Sequence, residues 1–165
     1  MITKRKTDFK QVKIGKQTWM AENLALNDGG EGIYHNNGHT YYTWEAAVRV
    51  ASSVDGWHLP SQEEWETLFA AVGGIDTAGT MLKSTKGWNQ NGNGTDAYGL
   101  SLLPSGCRYG NGYFDYAGDV AYFWSSAEYD SNFAYYVLLG YNDEGAYLYY
   151  GRKNNAFAVR LVKNY

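Results

Sequence analysis

Three histidines, one cysteine and seventeen side-chain carboxylates are the groups in this 165-residue chain most able to do chemistry. His35 and His39 stand four residues apart in a glycine-rich loop, a spacing that two zinc ligands can use. No cysteine joins them and few carboxylates lie nearby, so the ligand set is incomplete. His58 sits in the phrase GWHLPSQEEW and reads as part of a helix-capping environment. Cys107, the sole cysteine, has no partner for an internal disulfide and leaves the redox compartment open. No G-x-S-x-G elbow surrounds any serine. The pairs Glu63–Glu64 and Asp143–Glu144 are adjacent in sequence, so their side chains diverge and read as solvated surface. The expectation is a protein with no catalytic residue and no metal centre, hence not an enzyme. The loop Asn89–Asp96 is the one stretch with side-chain and backbone oxygens of the kind calcium takes.

A different chemistry, that of contact, is concentrated near the C-terminus. Eleven of the 16 tyrosines fall between Tyr109 and Tyr150, and the segment 109–151 has six acidic residues and no Lys or Arg. With a net charge of −3 overall, that segment carries −6 and the remainder +3. Tyrosine offers a rigid ring with two side-chain torsions to freeze and a hydroxyl for one further bond, which is why evolved binding sites are rich in it. Alternation in YDSNFAYYVLLGYNDEGAYLYYGRKNN places one set of side chains inward and the other outward. Tyr122 and Tyr135 are expected in the inward set.

The elements that must position these tyrosines are legible from local pattern. FKQVKI (Phe9–Ile14) alternates, and Gly15–Lys16 turns it into Thr18–Trp19–Met20, an N-terminal hairpin. Asn27–Gly38 is expected to be an irregular loop. Thr43 caps a helix from Trp44 to about Ala51. Ser61 and Glu64 form a capping box ahead of the stripe Trp65, Leu68, Phe69 and Val72, which predicts a helix over 62–72 ending at Gly73–Gly74. A helical turn follows at Thr77–Lys83, then a loop through 87–99, then strands separated by Gly, Asn and Asp. Ala156–Val162 alternates as a core strand. Helices early and strands late indicate an α+β class within a single domain spanning residues 1–165. A composition of 44% hydrophobic and 19% charged residues is that of a globular chain, and its charge gives no attraction to nucleic acid. No apolar run approaches the roughly 18–20 residues of a membrane helix, so no membrane insertion is expected. The first fifteen residues lack the apolar core of a secretory signal.

Five phrases carry a resemblance: KIGKQTWMAENL at 13–24, GWHLPSQEEWETL at 56–68, YGLSLLPSGCR at 98–108, YFWSSAE at 122–128 and FAVRLVK at 157–163. In this order and spacing the chain resembles the Fibrobacter succinogenes major paralogous domain family. The resemblance implies a C-type-lectin-like fold: two helices on a small twisted antiparallel sheet, with the N- and C-terminal strands brought together. It is similar also to the formylglycine-generating enzymes, which depend on a cysteine pair that this chain lacks. The calcium phrases of glycan-binding C-type lectins, E-P-N or Q-P-D followed by W-N-D, are absent too. Trp57, His58, Leu59, Pro60 and Trp65, and likewise Trp124, Ser125 and Ser126, read as scaffold.

Where family members commonly carry Asn, this chain reads Tyr, Asp, Phe, Val and Gly, residues reachable by replacing the two adenines of an asparagine codon. In this it resembles the variable protein of a diversity-generating retroelement, whose binding site is rewritten while the scaffold stays constant. The ligand-contacting residues implied are Tyr109, Tyr113, Asp115, Tyr116, Asp119, Phe133, Tyr136, Val137, Gly140, Tyr141, Asp143, Tyr147, Tyr149, Tyr150 and Gly151. The expected partner is a protein or glycan on a cell or virion surface, and the expected location a phage tail or a bacterial cell surface. Rival readings are an enzyme on the same fold, an aromatic sheet core of constant sequence, and a structural module that forms homo-oligomers through the same tyrosines.

Overall fold

The computed structural model of the protein describes residues 8–165; the remainder of the N-terminal stretch weighed above for an export signal lies outside them. The chain is α+β, its sheets antiparallel within their named strands. Strands β1 (Gln11–Ile14) and β2 (Gln17–Met20) form the expected N-terminal hairpin, with Gly15 at φ +61° in its turn. β12 (Val162–Lys163) lies between β2 and β5 (Trp57–His58), so both ends of the chain meet in one sheet, β1-β2-β12-β5. A second sheet, β3-β4-β11-β6-β7, joins Ile33–Asn36, His39–Thr43, Ala156–Phe157, Cys107–Arg108 and Phe114–Asp115. The third, β10-β9-β8, is made of Tyr147–Arg152, Phe133–Gly140 and Val120–Glu128.

Both main helices start where their caps require. Thr43 Oγ accepts the Ala46 N–H at the head of α1 (Trp44–Ser52). At the head of α2 (Gln62–Ala71), Ser61 Oγ accepts the Glu64 N–H while the Glu64 carboxylate accepts the Ser61 N–H. The apolar stripe of α2 runs on to Val72, which is buried but serves as the C-cap. The helical turn is α3 (Ala78–Leu82).

Two expectations need correction. Residues 27–38 are not irregular throughout, because β3 lies within them and pairs with β4 around Asn37–Gly38. Both turn residues have positive φ, 47° and 82°, the conformation that makes Asn-Gly a two-residue hairpin turn. Ala156–Val162 is core, but it is not one strand. The seven residues are all buried, yet the chain pairs with β4 and β6 at Ala156 and only meets β2 and β5 at Val162. In between, the Val159 and Leu161 carbonyls accept the N–H groups of Leu24 and Met20, so this segment stitches two sheets together.

The core lies on both faces of β8 and β9. Phe123, Val137 and Leu139 pack with α2 through Trp65, Leu68 and Phe69. Trp124 and Ala134, of opposite parity, pack with α1 through Trp44 and Val50 and with Phe157. The third sheet is therefore clamped between the helices, which holds its far edge, β10, in a defined place.

Glu64 has a second task. His58 Nε2 lies 2.9 and 2.8 Å from its two carboxylate oxygens, and the Tyr165 hydroxyl donates to it at 3.0 Å. Burial pushes the carboxyl up, but the Ser61 N–H, His58 and Tyr165 outweigh it and hold its pKa below the ordinary value. A depressed folded pKa contributes stability that is present above the unfolded pKa and lost as pH falls through the folded one. Urea titrations from roughly pH 5.5 down to pH 3 should therefore show wild type losing stability more steeply than Glu64→Gln. Parallel curves would show that the pairing contributes nothing.

Candidate binding surface

The register of the third sheet sorts the tyrosines. Tyr149 is opposite Tyr136, which is opposite Trp124; Tyr147 is opposite Leu138, which is opposite Tyr122. With side chains alternating along each strand, these six share one face. Their rings form a chain: Tyr147–Tyr149 at 6.1 Å between centroids, Tyr149–Tyr136 at 6.2 Å, Tyr136–Tyr122 at 5.6 Å and Tyr122–Tyr116 at 6.4 Å. Phe157 supports the stripe from the core, 4.9 Å from Tyr122 and nearly parallel to it, and 4.8 Å from Tyr136. Exposure rises outward: Tyr122, Tyr136 and Tyr147 are half-buried, while Tyr116 and Tyr149 are exposed. The β6–β7 hairpin brings Tyr109 beside Tyr116, and its turn carries Tyr113, 72% exposed.

Tyr150, one residue on from Tyr149, points to the opposite face. There its ring stacks on Tyr129 at 4.0 Å, with Phe133 and Tyr135 edge-on at 6.0 and 6.2 Å. The fifteen predicted contacts thus do not form one surface. Val137 and Gly140 are withdrawn from it: Val137 is fully buried against the α2 side of the core, and Gly140 is buried with its carbonyl accepting from Lys83 Nζ. Tyr141 is half-buried against that same core. Gly151 is half-buried, and a Cβ there would lie 3.0 Å from the Tyr136 ring. Of the two tyrosines expected inward, Tyr122 is half-buried and packs against the α1 side of the core, whereas Tyr135 is half-buried in the cluster around Tyr150. Tyr129 went unpredicted because the register shift between Trp124 and Glu128 breaks the alternation that would have located it.

The hydroxyls and carboxylates of this region are ordered. Burial raises the Tyr122 and Tyr136 hydroxyls, and burial with the nearby Cys107 raises that of Tyr109. Cys107 itself is pushed up to about 11 by burial, so its thiol is inert at neutral pH. All of these hydroxyls stay protonated and can donate as well as accept. Asp143 accepts the Gly145 N–H and the Tyr147 hydroxyl at 2.9 and 2.7 Å, which depresses its pKa and makes it a brace for Tyr147. Asp119 accepts from the Asn89 amide, and Asp115 from the Tyr116 N–H. These three aspartates hold the surface in shape.

The groups weighed for catalysis or metal do not converge. His35 contacts Asn27 and Thr40 across the β3–β4 hairpin, and His39 contacts Ser105. Among the described residues, no three His, Cys, Asp or Glu side chains are placed to share an ion. In the loop 89–96, Asn93 accepts the Trp88 N–H, and Asp96 accepts both the N–H and hydroxyl of Ser101. No helix of the described residues is long and apolar enough to cross a membrane.

A cleft of about 460 Å³ opens beyond the ends of β9 and β10. It is separate from the tyrosine stripe and lined mostly by polar side chains, including Glu31, Glu45, Asn132 and Arg152.

No curated protein and no solved structure matches the chain. The model of the Fibrobacter succinogenes major domain does match it, over residues 12–163. That span takes in all three sheets, both capped helices and the whole aromatic surface, and the chain belongs to the Fibrobacter succinogenes major domain family.

Proposed function

We propose that the protein is a non-catalytic binding module with a C-type-lectin-like arrangement, which takes a protein or glycan ligand on the tyrosine stripe of β8–β10 and the β6–β7 hairpin. The observation that carries this reading is the unbroken run of rings from Tyr147 through Tyr149, Tyr136 and Tyr122 to Tyr116, on a face whose outer members are exposed. Aromatic rings with two side-chain torsions supply contact area at low entropic cost. The clamped sheet beneath pre-pays the ordering that binding otherwise costs. The lectin-like arrangement is supported by the meeting of β2 and β12 and by the order of the five sequence phrases. Tyr and Asp at the outward positions support diversification by adenine-directed mutagenesis, and a ligand on a cell or virion surface then accords with a phage-tail or bacterial-surface location.

Binding of the labelled full chain to a panel of bacterial cells and immobilised glycans tests the assignment. Tyr136→Ala with Tyr149→Ala should lower the best affinity at least about ten-fold, as truncation of central aromatic contacts does. The pair Tyr129→Ala with Tyr150→Ala, on the opposite face, should leave it within about two-fold. The reverse pattern would move the site to the other face. Diversification also requires a near-copy of the coding segment for residues 109–155 beside a reverse transcriptase, carrying adenines at the outward positions.

A further inference from the structure

The cleft is bounded by four stretches of chain: the lead-in to β3 with Tyr34, the first turns of α1, and the segments 131–132 and 152–154. Some loop carboxylates and amides are held by their neighbours: Asp96 by Ser101, Asp130 by the N–H groups of Asn132 and Phe133, Asn93 by Trp88. In the cleft, the side chains of Glu31, Glu45, Ser131, Asn132, Arg152 and Asn154 make no hydrogen bond to any other described residue. Six exposed polar side chains, Arg152 among them over the Phe133 ring at 5.5 Å, line one concavity and leave hydrogen-bonding capacity that can orient a small ligand.

Charge narrows the ligand. Two of the three cations at the cleft are already engaged. Arg49 holds Asp28 at 2.8 and 3.1 Å and the Glu31 carbonyl at 2.8 Å, and Lys153 holds Glu128 at 3.0 Å over the Trp44 ring. The charges without an ion pair are two carboxylates and the Arg152 guanidinium, which lies over the Phe133 ring, so neither a phosphate nor a polyanion finds the cluster of free cations it needs. What remains is balanced: carboxylates that accept, a guanidinium that donates, and amides and a hydroxyl that do both. Carboxylate, amide and guanidinium groups are planar and can each meet two adjacent hydroxyls. Tyr34 adds an aromatic wall, its ring held by the Arg108 guanidinium 3.6 Å from its centre. A volume of about 460 Å³ lies within the roughly 300–1,000 Å³ of small-ligand sites.

We infer that this cleft is a saccharide site, distinct from the tyrosine surface, which takes a neutral mono- or disaccharide unit. It does not depend on the stripe being a binding face, and the two can fail separately.

The test is amide-detected NMR of the full chain titrated with maltose, cellobiose, lactose, xylobiose and chitobiose, each to about 10 mM. At least one sugar should shift amides confined to 31–34, 45–46, 131–132 and 152–154. Asn132→Ala with Asn154→Ala should weaken that sugar at least about ten-fold through two lost polar contacts. Both residues lie in surface turns, and their amide side chains hold no part of the fold together. Tyr136→Ala with Tyr149→Ala should leave the sugar's affinity unchanged. Absence of shifts with every sugar, shifts confined to the tyrosine stripe, or an unaltered affinity in the asparagine variant would each overturn the assignment. So would larger shifts of the same amides with glutamate or inorganic phosphate, which would mark a site for charged ligands.

Discussion

Replacing Arg160 with Met is expected to cost about 4 kcal/mol or more, a large fraction of the roughly 5–15 kcal/mol that stabilises a domain. The Arg160 side chain is fully buried and has no carboxylate partner among the described residues. It is held instead by four oxygens. Nε donates to Asn23 Oδ1 at 2.6 Å, Nη1 to the carbonyls of Met20 and Leu100 at 3.1 and 2.5 Å, and Nη2 to the carbonyl of Ser101 at 2.6 Å. Burial pulls the guanidinium pKa down to about 9, so the side chain remains charged at neutral pH. Methionine would match its length and fill the space, but it would strand four acceptors, each costing roughly 1–3 kcal/mol when left without a donor or water. Urea unfolding would show the loss as a lower midpoint at an unchanged slope. Arg160→Lys keeps one charge and fewer donors and should fall between the two. If Arg160→Met matched wild type, the carbonyls would have to be satisfied by something other than the guanidinium.

Gly106→Ala should be comparably severe and should also disturb the surface. Gly106 has φ +68°, and a Cβ there would lie 2.2 Å from the Asp115 carbonyl oxygen, 2.5 Å from the Ala117 nitrogen and 2.7 Å from the Tyr116 carbonyl carbon. All three are backbone atoms, so no side chain can swing aside. The left-handed conformation costs roughly 1–2 kcal/mol for any other residue, and forced overpacking adds about 1–3. Gly38→Ala separates the two contributions, since φ there is +82° but nothing lies within 4 Å of the new Cβ. Thermal melts should place Gly38→Ala a few degrees below wild type and Gly106→Ala well below that. Because the displaced segment carries Tyr116, Gly106→Ala should weaken ligand binding even at temperatures where it is folded. Equal melts for the two variants would show that the close approach relaxes freely.

Neither residue announced itself in the sequence. Arg160 sits in FAVRLVK, where strict alternation makes it the outward member of a strand, and the reading of Ala156–Val162 as one strand follows from the same assumption. The chain instead changes sheets there, and the turn it makes aims the guanidinium inward at carbonyls from residues 20, 100 and 101. The β3–β4 hairpin was legible, since Asn37–Gly38 is a hairpin signal, but the surrounding Asn, Gly and Asp masked it. Helix starts were read correctly because Thr43 and Ser61–Glu64 act within one turn of chain.

Local chemistry therefore settled the α+β class, the two capped helices, the N-terminal hairpin and the concentration of tyrosines after residue 109. Those features depend on contacts a few residues apart, and the residue types alone set their energies. Which tyrosines share a face was another matter. Tyr149 and Tyr150 are adjacent and chemically identical, yet one joins the stripe and the other stacks on Tyr129 across the sheet. Strand register set that division, and Val137, opposite Leu148 and Phe123, fell to the core for the same reason. A period of two says that neighbours point apart; only the packing of β8 and β9 between α1 and α2 determines which of the two joins the stripe.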